Sequence, residues 1–194
     1  LRQVAQVPAE QVERVRRGEL PVLLINNKYK MEELDAGTAR RNFIPADLLR
    51  RVLSKVHKDN LVLYQRLVST DLTNQGGPSE YMPENPSDPK FQDYAVIRKE
   101  FAAQVVLLKD ATRDPRLLKH PLVQGSFNRL QMLLMSHCTR FLSIQGGQAN
   151  TASYFPGTNL VYAVKALEVS RREYDYHHRL GGANVIFTGS PDTL

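Results

Sequence analysis

Short apolar runs alternate with amphipathic stretches along most of this chain. Leu20 to Ile25 (LPVLLI) is apolar throughout, Leu61 to Leu67 (LVLYQRL) largely so, and Val105 to Leu108 (VVLL) again throughout. Phe141 to Ile144, Leu160 to Val164 and Asn184 to Phe187 follow toward the carboxyl end. Runs that are apolar at successive rather than alternate positions suit strands covered on both faces, as in a parallel sheet. Between them the spacing turns helical. Val4, Val7, Val12 and Val15 lie near one stripe of a helix over Val4 to Arg17, which Gly18 ends. Pro45 opens a second helix with Leu48, Leu49, Val52, Leu53 and Val56 on its buried side and Arg50, Arg51, Lys55 and Lys58 off it. Asp93 to Phe101 reads as a short helix. Ser126 can cap a further one with Phe127, Leu130, Leu134 and Cys138 on one face, and Lys165 to Arg172 follows the strand ending at Val164.

Met31 to Asn42 is polar and reads as a loop. Residues 70–90, with Pro78, Pro83, Pro86, Pro89 and Gly76-Gly77, read as a long loop of the kind that is functional or disordered. Strands alternating with helices and no hairpin signal predict an α/β fold: a doubly wound, mostly parallel sheet with helices on both faces, in one Rossmann-like domain spanning 1–194. No internal repeat or heptad interrupts this pattern.

Composition adjusts the picture in a few places. At 194 residues and 42% hydrophobic, the chain can build one good core, and it is not a disordered tail. No apolar run is long enough to span a membrane. It starts at Leu1 without an initiator Met or a signal-like apolar core, so a piece of a longer chain and a cytoplasmic location are expected. Cys138 is the sole cysteine, which excludes an internal disulfide. The net charge of +6 suits an anionic ligand, a membrane surface or nucleic acid. The basic residues come only in scattered pairs such as Arg40-Arg41 and Arg171-Arg172, which disfavours a nucleic-acid footprint.

The stretch with the most chemistry is Phe141 to Phe155, FLSIQGGQANTASYF: a strand, a Gly-Gly turn and a helix start. In α/β proteins this is where phosphate binds, because free N–H groups and the positive helix end face the ligand. Gly146 and Gly147 let the backbone turn sharply and approach a ligand, Asn150 is expected to cap the helix, and Thr151 completes the signal. The same glycines would also serve a plain bend. Asn26-Asn27-Lys28-Tyr29, at the carboxyl end of the first strand, is a second candidate. Lys28 and Arg66 could neutralise a diphosphate, or be solvated strand ends. Glu168 could take two ribose hydroxyls, or be a surface residue. Tyr174 and Tyr176 could stack a sugar or base, or belong to a surface loop.

Other chemistries are disfavoured. The turn is neither G-x-G-x-x-G nor a Walker A loop. There is no G-x-S-x-G elbow, and His137-Cys138 are helical neighbours that do not face each other. His177-His178 lack a third ligand at a metal-binding spacing, so no metal site is expected.

NKY after the first strand, YQR at the second, and FLSIQGG…ASYF…NLVYAV…E toward the end resemble bacterial and viral-type glycosyltransferases of the GT-B class, and within them the carboxyl-terminal nucleotide-sugar-binding domain. The resemblance covers most of Leu20 to Phe187. It implies transfer of a sugar from a nucleoside-diphosphate sugar to a saccharide acceptor, as in polysaccharide biosynthesis, with no bound metal and no cofactor besides the donor. It implies Gly146, Gly147, Gln148 and Asn150 at the phosphates, Arg66 or Lys28 as the cation, and Glu168 at the ribose. Such enzymes carry a second domain with the acceptor site and usually the base, for which this chain has no room. Either that domain lies elsewhere, on a longer or partner chain, or this is a transferase-like binding or scaffold subunit of a larger assembly. Asp35 and Glu33 are not distinguished as a base, and no catalytic residue is assigned.

Overall fold

The computed structural model describes residues 7–33, 39–67, 87–111, 119–124, 126–163, 171–190 and 194. In chain order its elements are α1 (Ala9–Arg16), β1 (Val22–Lys28), β2 (Lys30–Glu33), β3 (Ala39–Asn42), α2 (Ala46–Val56), β4 (Leu61–Leu67), α3 (Asp93–Glu100), β5 (Val105–Leu107), α4 (Leu108–Ala111), α5 (Phe127–Met135), β6 (Arg140–Ile144), α6 (Gly147–Ser153), β7 (Thr158–Tyr162) and β8 (Asn184–Thr188). Every apolar run of the sequence becomes a strand of one sheet, ordered β5-β4-β1-β6-β7-β8. All its pairings are parallel. The chain winds outward from β1 through β4 to β5, then crosses back and winds the other way through β6, β7 and β8. The reversal between β1 and β6 is a topological switch point, where crossovers diverge and open a crevice at the carboxyl ends.

Strand alternation divides the core in two. Leu23, Ile25, Val62, Tyr64, Leu142 and Ile144 face α2 and α3, packing on Leu49, Leu53 and Ile97. Val22, Leu24, Leu61, Leu63 and Phe141 face α5 and α6, packing on Leu130, Leu134, Met135 and Ala152. Each such side chain contributes about 1.5–3 kcal/mol on burial, which is why both faces need helices. Cys138 belongs to the second cluster; burial pushes its thiol up to about 12 and its Sγ lies 3.3 Å from the Leu134 carbonyl, so it is an inert core residue. Ser126 caps α5 as expected, its Oγ accepting from the Arg129 amide. Among the described residues no helix is long and apolar enough to cross a membrane.

The structure corrects the expectation for Met31 to Asn42. Instead of a loop, β2 and β3 pair antiparallel with Lys30 opposite Asn42 and Glu33 opposite Ala39. Neither KMEE nor ARRN alternates apolar with polar residues, so backbone pairing left no periodic mark in the sequence. The expected 70–90 loop lies mostly outside the described residues; its described end is a turn at Pro89–Phe91. Most of the expected Lys165 to Arg172 helix also lies outside them.

Candidate functional site

The carboxyl end of β1 carries three polar residues in succession, and alternation sends them to different faces. Asn26 and Lys28 continue the side of Leu24, toward α5 and α6. Asn27 continues the side of Ile25, toward α2 and α3. Register extends this across the sheet. Asn26 stands beside Gln65 of β4 and Ser143 of β6, Asn27 beside Arg66, and Lys28 beside Leu67. Lys28 and Arg66, expected to share one diphosphate, therefore belong to opposite faces.

The Arg66 face is closed by its own contacts. Arg66 Nη1 donates to Asp93 Oδ1 at 3.1 Å with both side chains buried, and the guanidinium lies 3.8 Å from the Tyr94 ring centroid. The Tyr64 hydroxyl donates to the other Asp93 oxygen at 2.5 Å. Asn27 Nδ2 donates to the Ile44 carbonyl and to the Tyr64 oxygen, and its Oδ1 accepts from the Ile44 amide at 2.9 Å. The side chain thus satisfies both backbone groups of Ile44 and holds the segment leading into α2. Tyr29 stacks between Phe43 and Phe91, with centroids 4.8 and 4.7 Å away. Burial, with the Asp93 charge nearby, raises both phenols and keeps them protonated. Burial also lifts the Asp93 carboxyl, against the downward pull of Arg66. Arg66 is therefore committed to Asp93 and not offered to the crevice, a correction to the expected cation pair.

The opposite face holds a row of uncharged groups. Gln131 of α5 is buried and uses its Nε2 to donate to Gln65 Oε1 and to Gln148 Oε1 of α6, both at 2.8 Å. Asn26 Nδ2 and Oδ1, Gln65 Nε2 and Ser143 Oγ are buried without a hydrogen-bond partner among the described residues. Leaving such groups unpaired costs about 1–3 kcal/mol each, so their presence in one row calls for a reason. Asn26, Asn27, Lys28, Gln65 and Gln148 line a narrow cleft whose gaps are too small to admit a water molecule. The amide–amide link of Gln65, Gln131 and Gln148 was not foreseen. Gln65 and Gln148 were marked only through the resemblance, Gln131 carried no mark at all, and nothing in the sequence joins the three.

The glycine turn closes the same end of the sheet. Gly146 has φ 120° and ψ −166°, a conformation restricted to glycine, and its amide reaches the Tyr174 hydroxyl at 3.4 Å. It caps α6 itself. Asn150, expected at that position, sits inside the helix: its amide bonds to the Gly146 carbonyl and its Oδ1 meets His177 Nε2 at 3.1 Å. This too is a correction, because the turn that glycine allows starts the helix four residues earlier. Thr151 Oγ1 donates back to the Gly147 carbonyl at 2.9 Å, which occupies its hydroxyl within the helix. Asn159 of β7 donates to the Ala149 carbonyl and to Ser153 Oγ, pinning α6 to the sheet. Gly147 is exposed, and a Cβ there would meet nothing within 4 Å. Its amide and that of Gln148 are first-turn donors that a helix leaves without intrahelical acceptors. Glu168 lies outside the described residues. His177 is buried, its ring edge-on to Tyr154 at 4.8 Å, and burial lowers its pKa. Tyr174 is buried as well, while Tyr176 is exposed. Among the described residues no three His, Cys, Asp or Glu side chains gather as metal ligands.

A parallel sheet wound both ways from its first strand, helices on both faces, and a polar crevice at the switch point define a Rossmann-like α/β domain. No protein-family model matches the sequence, and no curated protein does. Among solved structures, a hypothetical protein from Xanthomonas campestris is similar over 88% of this chain and 78% of that one, at 14% identity and a TM-score of 0.35, a likeness too slight to carry an argument.

Proposed function

We propose that this chain is a donor-binding domain of a GT-B-like glycosyltransferase, holding a nucleoside-diphosphate sugar whose sugar moves to a saccharide acceptor. The observation that supports this most is that Gln148, in the first turn of the helix the glycine turn starts, lines the switch-point cleft together with Lys28. In this reading the Lys28 ammonium and the amides of Gly147 and Gln148 face the diphosphate. Negative charge grows there as the donor bond breaks, and groups already in place stabilise that charge without reorganising. The acceptor and the base that activates it come from another domain or chain.

A second reading, a transferase-like scaffold subunit that does not catalyse, is favoured by the narrowness of the cleft and by the commitment of Arg66 to Asp93. Calorimetric titration with UDP, GDP, ADP and their sugars separates the two. Binding of at least one donor is expected; a folded protein that binds none into the millimolar range would end the first reading. Donor turnover by this chain alone would end the second.

Gly147→Val is expected to lower donor affinity by more than about tenfold, or 1.4 kcal/mol. Its stability should stay within about 1 kcal/mol of wild type, because the new side chain projects into open space. Calorimetry and urea unfolding measure the two quantities. Unchanged affinity would reduce the turn to a bend.

A further inference from the structure

We propose that Asn26, Gln65 and Ser143 form the subsite for the neutral sugar ring of the donor, which rests on the nucleotide-sugar reading above and adds to it the group that the crevice recognises. The three residues stand side by side on the central strands β4, β1 and β6. One step inward on the same face are Leu63, Leu24 and Phe141, all core residues. At this level three neighbouring strands switch together from apolar to uncharged polar side chains.

Burial makes that switch expensive. Asn26 and Gln65 are each 3% exposed and Ser143 is 0% exposed, yet four of their polar atoms have no partner among the described residues. Asn27, the next residue of β1, shows the contrast: at 1% exposure both atoms of its amide are bonded to Ile44. The fold can therefore satisfy a buried carboxamide at this end of the sheet and does not do so in the row. Gln131 fixes the orientation of Gln65 by binding its Oε1, which leaves Gln65 Nε2 as an unpaired donor.

The chemistry of the row selects its ligand. Carboxamides and a hydroxyl supply donors and acceptors together, and a sugar hydroxyl asks for both. None of the three carries charge, so they offer a diphosphate no counter-ion. Lys28, two residues beyond Asn26 on the same face, places the charge farther out along β1. The order from the mouth inward is then diphosphate, then sugar. The gaps are too narrow for water in this state, so a sugar must widen the cleft. Gln148, half-buried on α6, lines the cleft and is held there by its bond from Gln131, so it is the side chain we assign to move.

The test measures affinities of UDP, GDP and ADP, and of UDP-glucose, GDP-mannose and ADP-glucose, for wild type, Asn26→Leu and Ser143→Ala, with the melting temperature of each. Wild type is expected to bind one hexose donor at least about tenfold more tightly than its bare diphosphate. Both variants should bind the bare diphosphate as wild type does, lose that tenfold increment, and melt no lower than wild type, because each removes an unpaired buried group. Ser143→Ala removes only an oxygen and serves if Asn26→Leu does not fold. Diphosphate binding without a hexose increment in wild type overturns the inference and leaves the proposed function standing. So does an increment that survives in the variants, or one lost together with a fall in melting temperature. No binding of any diphosphate to wild type overturns the proposed function itself.

Discussion

Arg66→Met is expected to lower stability by about 3–5 kcal/mol at pH 7, and by much less near pH 4. The substitution removes the cation but leaves Asp93, which is fully buried and bonded to Tyr64. In the native protein burial already holds the Asp93 carboxyl above its ordinary 3.8, with Arg66 the largest influence pulling it down. Without Arg66 that pull is gone and the folded-state value climbs further. A carboxyl raised in the folded state contributes stability that is fully present below its unfolded value and is lost as pH rises through the folded one. Because the value in the variant is the higher of the two, its deficit relative to wild type grows as pH rises from about 4. At low pH the buried group is a neutral acid and costs little; at neutral pH it is either an unpaired charge or a proton held against the solution. Urea unfolding of both proteins at pH 4 and pH 7 checks this. An equal deficit at the two pH values would mean that the loss comes from the packing of Arg66 on Tyr94 and not from the charge pair.

Gly157→Ala is expected to cost about 4 kcal/mol or more, in the exceptional range for a single substitution. Gly157 has φ +116°, and a Cβ added there would sit 2.0 Å from the Thr139 carbonyl oxygen and 2.7 Å from its carbon. The atoms in the way are backbone, so no side-chain rotation relieves the clash. That carbonyl also accepts from the Thr158 amide at 3.0 Å, and the Gly157 carbonyl accepts from Asn184 at 2.8 Å. Moving either chain opens the starts of β6, β7 and β8 together. Thermal unfolding measures the effect; a melting point within a few degrees of wild type would mean that the backbone absorbs the methyl. The contrast is Gly147, where the same added atom meets nothing.

The two glycines show which part of the site could be read in advance. GG between a strand and a helix announces a turn, and a turn is what forms. That Gly146 caps the helix, and that Asn150 faces His177, follows from dihedral angles and from a residue 27 positions away. Lys28 and Arg66 teach the same lesson. Both were visible as basic residues at strand ends. Their assignment to opposite faces depends on the β1–β4 register, and the withdrawal of Arg66 depends on Asp93, which the sequence marks only as the start of a helix. The pairing of β2 with β3 left no apolar period to find.

Element type and fold class were legible in the sequence because they are local properties. A run apolar at every position must be covered on both sides, and a stripe at helical spacing must face a core, whatever the partner. The fate of each polar side chain was not, because its partner lies far along the chain: Gln131 is 66 residues from Gln65, and Asn27 is 17 from Ile44. Tertiary structure alone decided which polar groups satisfy one another and which, in the row from Gln65 to Ser143, have no partner among the described residues.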